Sequence, residues 1–231
     1  MYRATVGTGK TLLGTLPFTA QMIYDGYLQK YKCEKNSKLT EVENFMRCEN
    51  FLHGVVEIPE IAKSERIYRH EAGHLLIILL HFESLSVFPA LVSFQKRADL
   101  KLNAYIKVVD LPETGKKTST SDEEKFKSWI LYSVAGKAAE AVFNGTEGTT
   151  VYSLLKRLQE KTNSRDLQIA RMYASKLSDD ETKQEEIIAA SFYQAIKEIK
   201  ANERKYEVIL EAIKKNSFIT ASEIFKLFEE L

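Results

Sequence analysis

The chain is poor in the residues that interrupt helices. Four prolines and ten glycines in 231 residues leave few places where a helix is forced to stop. Cysteine is scarcer still. Cys33 and Cys48 lie far from any C-x-x-C spacing, and two thiols in a chain of this length fit a reduced compartment better than a Cys33 to Cys48 disulfide. Neither sign of charge dominates, because 33 Lys+Arg stand against 32 Asp+Glu. That balance argues against a nucleic-acid partner or an anionic membrane surface. No long hydrophobic run is present either. The longest, "HLLIILLHF" at 74–82, falls well short of the roughly 20 apolar residues that span a bilayer. The N-terminus lacks the apolar core and small-residue cleavage site of a signal peptide, so the expected location is cytoplasmic.

What remains is mostly helical periodicity. Ile187, Ile188, Phe192, Ile196 and Ile199 follow three-and-four spacing, and similar patterns predict helices over 122–144, 150–177, 183–200, 203–215 and 221–230. Ser121 is expected to cap the first of these, with Glu124 three residues on. One stretch departs from the helical habit. Residues 86–115 carry β-branched and aromatic runs bounded by Pro89 and the Pro112 to Gly115 turn, predicting a hairpin or small sheet with strands near 91–96 and 103–109. The fold expected is mainly α with a small β element.

The chemistry concentrates at 68–76, "YRHEAGHLL". On a helix, His70 and His74 share a face and can present imidazole nitrogens to one ion, with Glu71 beside it. Zinc held this way activates a water, and the adjacent carboxylate takes its proton. A catalytic zinc site needs a third protein ligand. His81 follows seven positions after His74 without a glycine turn and reads as a packed or helix-end histidine. Carboxylate candidates are Glu140, Glu147 and Asp166, and spacing alone does not choose among them. Gly73, placed inside the motif helix, signals a close approach at that turn.

Three blocks in order, "YRHEAGHLL", "VAGKAAEAVFNG" and "SRDLQIARMYA", resemble the peptidase domain of the FtsH family of ATP-dependent zinc metalloproteases. The resemblance runs over about 60–231 and includes "KYEVILEAIKKNSFITASEIFKLF" near the C-terminus. It implies a helical zincin-type domain over 61–231; residues 1–60 are expected to form a mostly helical N-terminal extension. It also implies Zn2+ as cofactor, held by His70, His74 and Asp166, with Glu71 as the catalytic residue. The segment between Glu140 and Asp166 is longer than the family pattern, which leaves Glu147 as the alternative third ligand.

At the front, "VGTGKTLLGTL" (6–16) echoes the family's Walker A loop, yet Ala4 stands where the first glycine belongs. Lys10 and Thr11 are therefore expected not to bind nucleotide, and neither an ATPase module nor a membrane anchor is expected. The implied activity is ATP-independent zinc endopeptidase cleavage of peptides or unfolded protein. A homo-oligomer or a separate ATPase would be the candidate partner. Two other readings stand beside it: a catalytically weak binding or assembly module that keeps the zinc site, and a helical structural protein with an incidental motif.

Overall fold

The computed structural model describes residues 18–53, 64–94, 104–111, 120–146, 153, 156, 164–216 and 218–230. The Walker-like segment with Lys10 and Thr11, Glu147, and most of residues 150–163 of the helix predicted over 150–177 lie outside the described residues; of that helix the continuous described part is Arg165–Ala174, preceded by Ser164 in extended conformation.

The described chain is mainly helical with a three-stranded antiparallel sheet. The elements are α1 (Ala20–Lys30), α2 (Glu41–His53), α3 (Glu65–Leu85), β1 (Val87–Ser93), β2 (Tyr105–Asp110), α4 (Asp122–Asn144), α5 (Arg165–Ala174), α6 (Glu181–Ala201), α7 (Glu203–Lys215), β3 (Phe218–Thr220) and α8 (Ala221–Glu230). Local signals account for many of the ends. Ser64 and Ser121 accept from Ile67 N and Glu124 N, and Asp180 accepts from Thr182 N and Lys183 N. Thr40 and Glu43 bond reciprocally at the start of α2, as a capping box does. Gly145 ends α4 in the left-handed region at φ 62°, where glycine carries no Cβ penalty.

Helix α4 is the hub. It packs on α3, α5 and α6, and its buried Ala135, Gly136, Ala138, Ala139 and Ala141 allow backbones to approach. A Cβ built on Gly73 of α3 would lie 2.6 Å from the Ala135 carbonyl oxygen and 2.7 Å from Ala139 Cβ. The close approach expected at Gly73 is therefore a helix crossing.

The sheet has strand order β2-β1-β3, so β2 is an edge strand. β1 is buried along its length, with α1, α3 and α8 all packed on it. Pro89 is not a boundary, as the sequence suggested, but lies within β1. The register slips between Pro89 and Leu91, and this bulge is how a central strand accommodates a residue with no N–H to give its neighbour. β1 accordingly starts earlier than expected. β3 has three residues, too few for alternation to reveal.

The N-terminal helices share the core of the rest. Phe18 makes edge-to-face contacts with Phe82 of α3, Phe88 of β1 and Phe225 of α8, each at 5.2–5.9 Å. Cys33 and Cys48 form a disulfide, which corrects the expectation of two free thiols. A turn with Lys32 at φ 54° reverses the chain after α1, and α2 then brings the two Cα atoms to 5.6 Å, within reach of a bridge. Among the described residues, no helix is long and apolar enough to cross a membrane.

Candidate metal centre

Helix α3 carries the motif on the face that meets α4. His70 and His74, one turn apart, bring their Nε2 atoms to 3.1 Å. The room for this comes from α4, because a Cβ on Gly136 would sit 2.5 Å from His70 Nε2. That glycine had no sequence signal beyond its place in a small-residue run.

The outer nitrogens fix the tautomers. His74 Nδ1 donates to the Tyr132 carbonyl oxygen at 2.8 Å, and His70 Nδ1 donates to Glu140 Oε1 at 2.8 Å. A neutral imidazole whose Nδ1 carries the proton presents a lone pair at Nε2. Both lone pairs therefore face the same point.

Asp166, in the first turn of α5, supplies the third donor. Its Oδ2 lies 3.2 Å from His70 Nε2 and 3.7 Å from His74 Nε2. The three ligand atoms fall within 4.8 Å of one another. Tetrahedral zinc with bonds of 2.0–2.2 Å separates its ligand atoms by roughly 3.3–3.5 Å, a value the three distances bracket. Two imidazole lone pairs and a carboxylate form an electron-rich pocket that a cation would neutralise, and the donor set suits zinc. Without a metal, a proton partly fills that need. Burial works against a charged His70 ring, yet hydrogen bonds to Asp166 and Glu140 outweigh it and lift the ring to about 9. Burial also opposes ionisation of Asp166, and the two imidazoles hold its carboxyl far below the usual range.

Glu140, weighed from sequence as a metal ligand, stands behind His70 instead. It accepts from His70 Nδ1, from Arg66 Nε at 2.7 Å and from Lys137 Nζ at 2.9 Å. Burial raises its carboxyl, but these partners bring it down to about 2, so it stays ionised and holds the ring in place. His81 is remote from the cluster. It occupies a non-helical kink in α3 and pairs through Nε2 with Glu198 Oε2 at 2.6 Å.

Glu71 is buried at 8% exposure beside the three donors, without being one of them. Burial pushes its carboxyl up, the imidazoles of His70 and His74 pull it down, and Asp166 adds a further upward push. It faces a cleft of about 560 Å³. One wall of the cleft is β2 and the residue before it, Ala104 to Val108. Another is aromatic and apolar, with Trp129, Tyr132 and Ile169. Lys30 and Tyr31, at the end of α1, and Arg165 of α5 also line the cleft, and Lys30 Nζ donates to Val108 O at 3.2 Å. Lys30 and Tyr31 carry no motif and were not foreseen from sequence.

A second group of polar residues joins β2 to α2 and α1. Glu49 of α2 is fully buried and accepts from Tyr27, from Tyr105 at 2.8 Å and from Lys107. Burial opposes its ionisation, and these donors nonetheless keep its carboxyl low.

No protein-family model matches the chain, and no curated protein matches it.

Proposed function

We propose that the chain is a zinc-dependent endopeptidase of the FtsH peptidase type, acting on peptides or unfolded polypeptide. The observation that carries this reading is the convergence of His70 Nε2, His74 Nε2 and Asp166 Oδ2, with Glu71 beside them on the wall of a cleft. Bound zinc would supply Lewis acidity toward a carbonyl oxygen and lower the pKa of a water to near neutrality.

The remaining work falls to the chain's own groups. Glu71 would take a proton onto its carboxylate and return it to the departing amine nitrogen, a role that suits a carboxyl raised by burial. The edge position of β2 favours an extended substrate, since backbone pairing along Ala104 to Val108 would recognise peptide without regard to sequence. Trp129, Tyr132 and Ile169 offer apolar contact to a substrate side chain close to Glu71. Folded proteins would not present an extended segment and should resist.

The test is the metal content and activity of Glu71→Gln beside wild type. The variant should keep stoichiometric zinc and lose cleavage of casein by about a hundredfold or more. A wild type that binds zinc and is equally inert on a broad peptide library would favour a binding or assembly module. A wild type that binds no zinc would end the reading.

A further inference from the structure

The disulfide joins two helices that bear on the cleft from outside the histidine motif. Cys33 follows α1, whose last residue Lys30 and the adjacent Tyr31 form part of the rim. Cys48 lies on α2, and the next residue is Glu49, the buried carboxylate to which Tyr27 of α1 and Tyr105 and Lys107 of β2 are bonded. Lys107 Nζ also sits 4.2 Å from the centre of the Tyr31 ring. One carboxylate therefore ties α1 and β2, two walls of the cleft, to α2. The bridge fixes α2 against the end of α1 one residue away from that carboxylate.

The bridge is also reachable. Cys48 is buried, but Cys33 is only half-buried, and both border a separate cleft of about 310 Å³ with Lys32, Glu34 and Arg47. Lys32 and Arg47 place positive charge where an attacking thiolate would approach and where a thiolate would be left behind.

We propose that Cys33–Cys48 is a redox site for a dithiol reductant, and that its reduction loosens the cleft walls formed by Lys30, Tyr31 and β2. One thiolate of the dithiol attacks Cys33 Sγ. The S–S bond breaks, and Cys48 Sγ leaves with the bonding pair. The second thiol of the reductant, as thiolate, attacks its own sulfur in the mixed disulfide and expels Cys33 Sγ. The dithiol ends as a cyclic disulfide, having given up two electrons, and its two protons finish on Cys33 and Cys48. Glu49 then has only non-covalent contacts to hold it among Tyr27, Tyr105 and Lys107. The effect is on the order of the walls and leaves the histidine face of α3 in place, so it can be read whether or not the cleft cleaves peptides.

The test is hydrogen exchange on the full chain, oxidised, reduced with dithiothreitol, and reoxidised. Cys33→Ser/Cys48→Ser is carried through the same steps to separate reduction from any removal of zinc by the reagent. On reduction, the amides of β2 and α1 should exchange about tenfold faster or more, while those of α3 and α4 keep their protection, and reoxidation should restore the slow rates. The double variant should exchange fast in β2 with or without reductant. If it fails to fold, the reversible change in wild type decides alone. Unchanged β2 exchange overturns the proposal. Loss of α3 and α4 in step with β2 also overturns it, because the bridge would then be a staple for the whole fold. If β2 responds and no state cleaves peptide, the redox site stands and the peptidase reading falls.

Discussion

His74 Nδ1 donates to the backbone carbonyl of Tyr132 across 2.8 Å, whereas its neighbour His70 donates to a side-chain carboxylate at the same distance. A carbonyl fixes the His74 tautomer permanently and adds no charge. The carboxylate of Glu140 fixes His70 and also makes its ring more basic, so the two imidazoles are tuned unequally.

Glu140→Gln should therefore weaken zinc binding by about 10- to 100-fold while leaving the fold intact. Competition with a chromophoric chelator measures this, and an unchanged affinity would place Glu140 outside the metal's support.

The metal-free protein should respond to alkaline pH through His70. The ring rises from 6.5 to about 9 on folding, so its stabilising effect is complete below about 6.5 and is lost as pH climbs toward 9. Chelator-treated protein should lose stability over that window, on the order of 1–3 kcal/mol. Denaturant melts of wild type against His70→Ala between pH 6 and 10 check it, the variant being flat where wild type falls.

Two glycines on facing helices should fail differently. Gly136→Ala pushes a methyl against the His70 ring, and zinc affinity should drop more than thermal stability does. Gly73→Ala instead meets the Ala135 carbonyl and Ala139, and should cost about 1–3 kcal/mol by forcing α3 from α4. Paired zinc titrations and thermal melts of both variants would distinguish the effects. Equal losses in both assays would contradict them.

Lys107→Met leaves Glu49 buried without its cation and should destabilise the chain by roughly 3–5 kcal/mol. In wild type the folded Glu49 carboxyl lies below its ordinary value, so its contribution is present above about pH 4.3 and is lost as pH falls. Urea melts at pH 7 and pH 4 should show the gap between variant and wild type narrowing in acid.

The legible parts were those that local chemistry determines. Ser121 with Glu124 opens α4 and the helix ends at residue 144 as expected, and the four-residue spacing put His70 and His74 on one face. Asp166 was different. It meets His70 from 96 positions away, and spacing does not single it out: the resemblance, with the greater rigidity of a helix-borne carboxylate, favours it over Glu140 and Glu147. Its position depends on α5 docking against α4, a tertiary contact that no local pattern records. Pro89 misled because a proline inside a central strand is tolerated only at a bulge, and bulges leave no periodic trace. The Cys33–Cys48 bridge was read the other way because cysteine count speaks to compartment and says nothing of a turn that brings two Cα atoms to 5.6 Å.

Trp129 is the chain's one tryptophan. It lies on the cleft wall and stacks at 10° on Tyr173 of α5, the helix that carries Asp166, with ring centres 5.6 Å apart. The molecule thus contains its own fluorophore at the joint between the cleft and the helix bearing Asp166. Emission excited at the indole band would report α5 docking, and any metal uptake or peptide entry of the proposed kind, with no label and no second tryptophan in the sequence to confuse the signal.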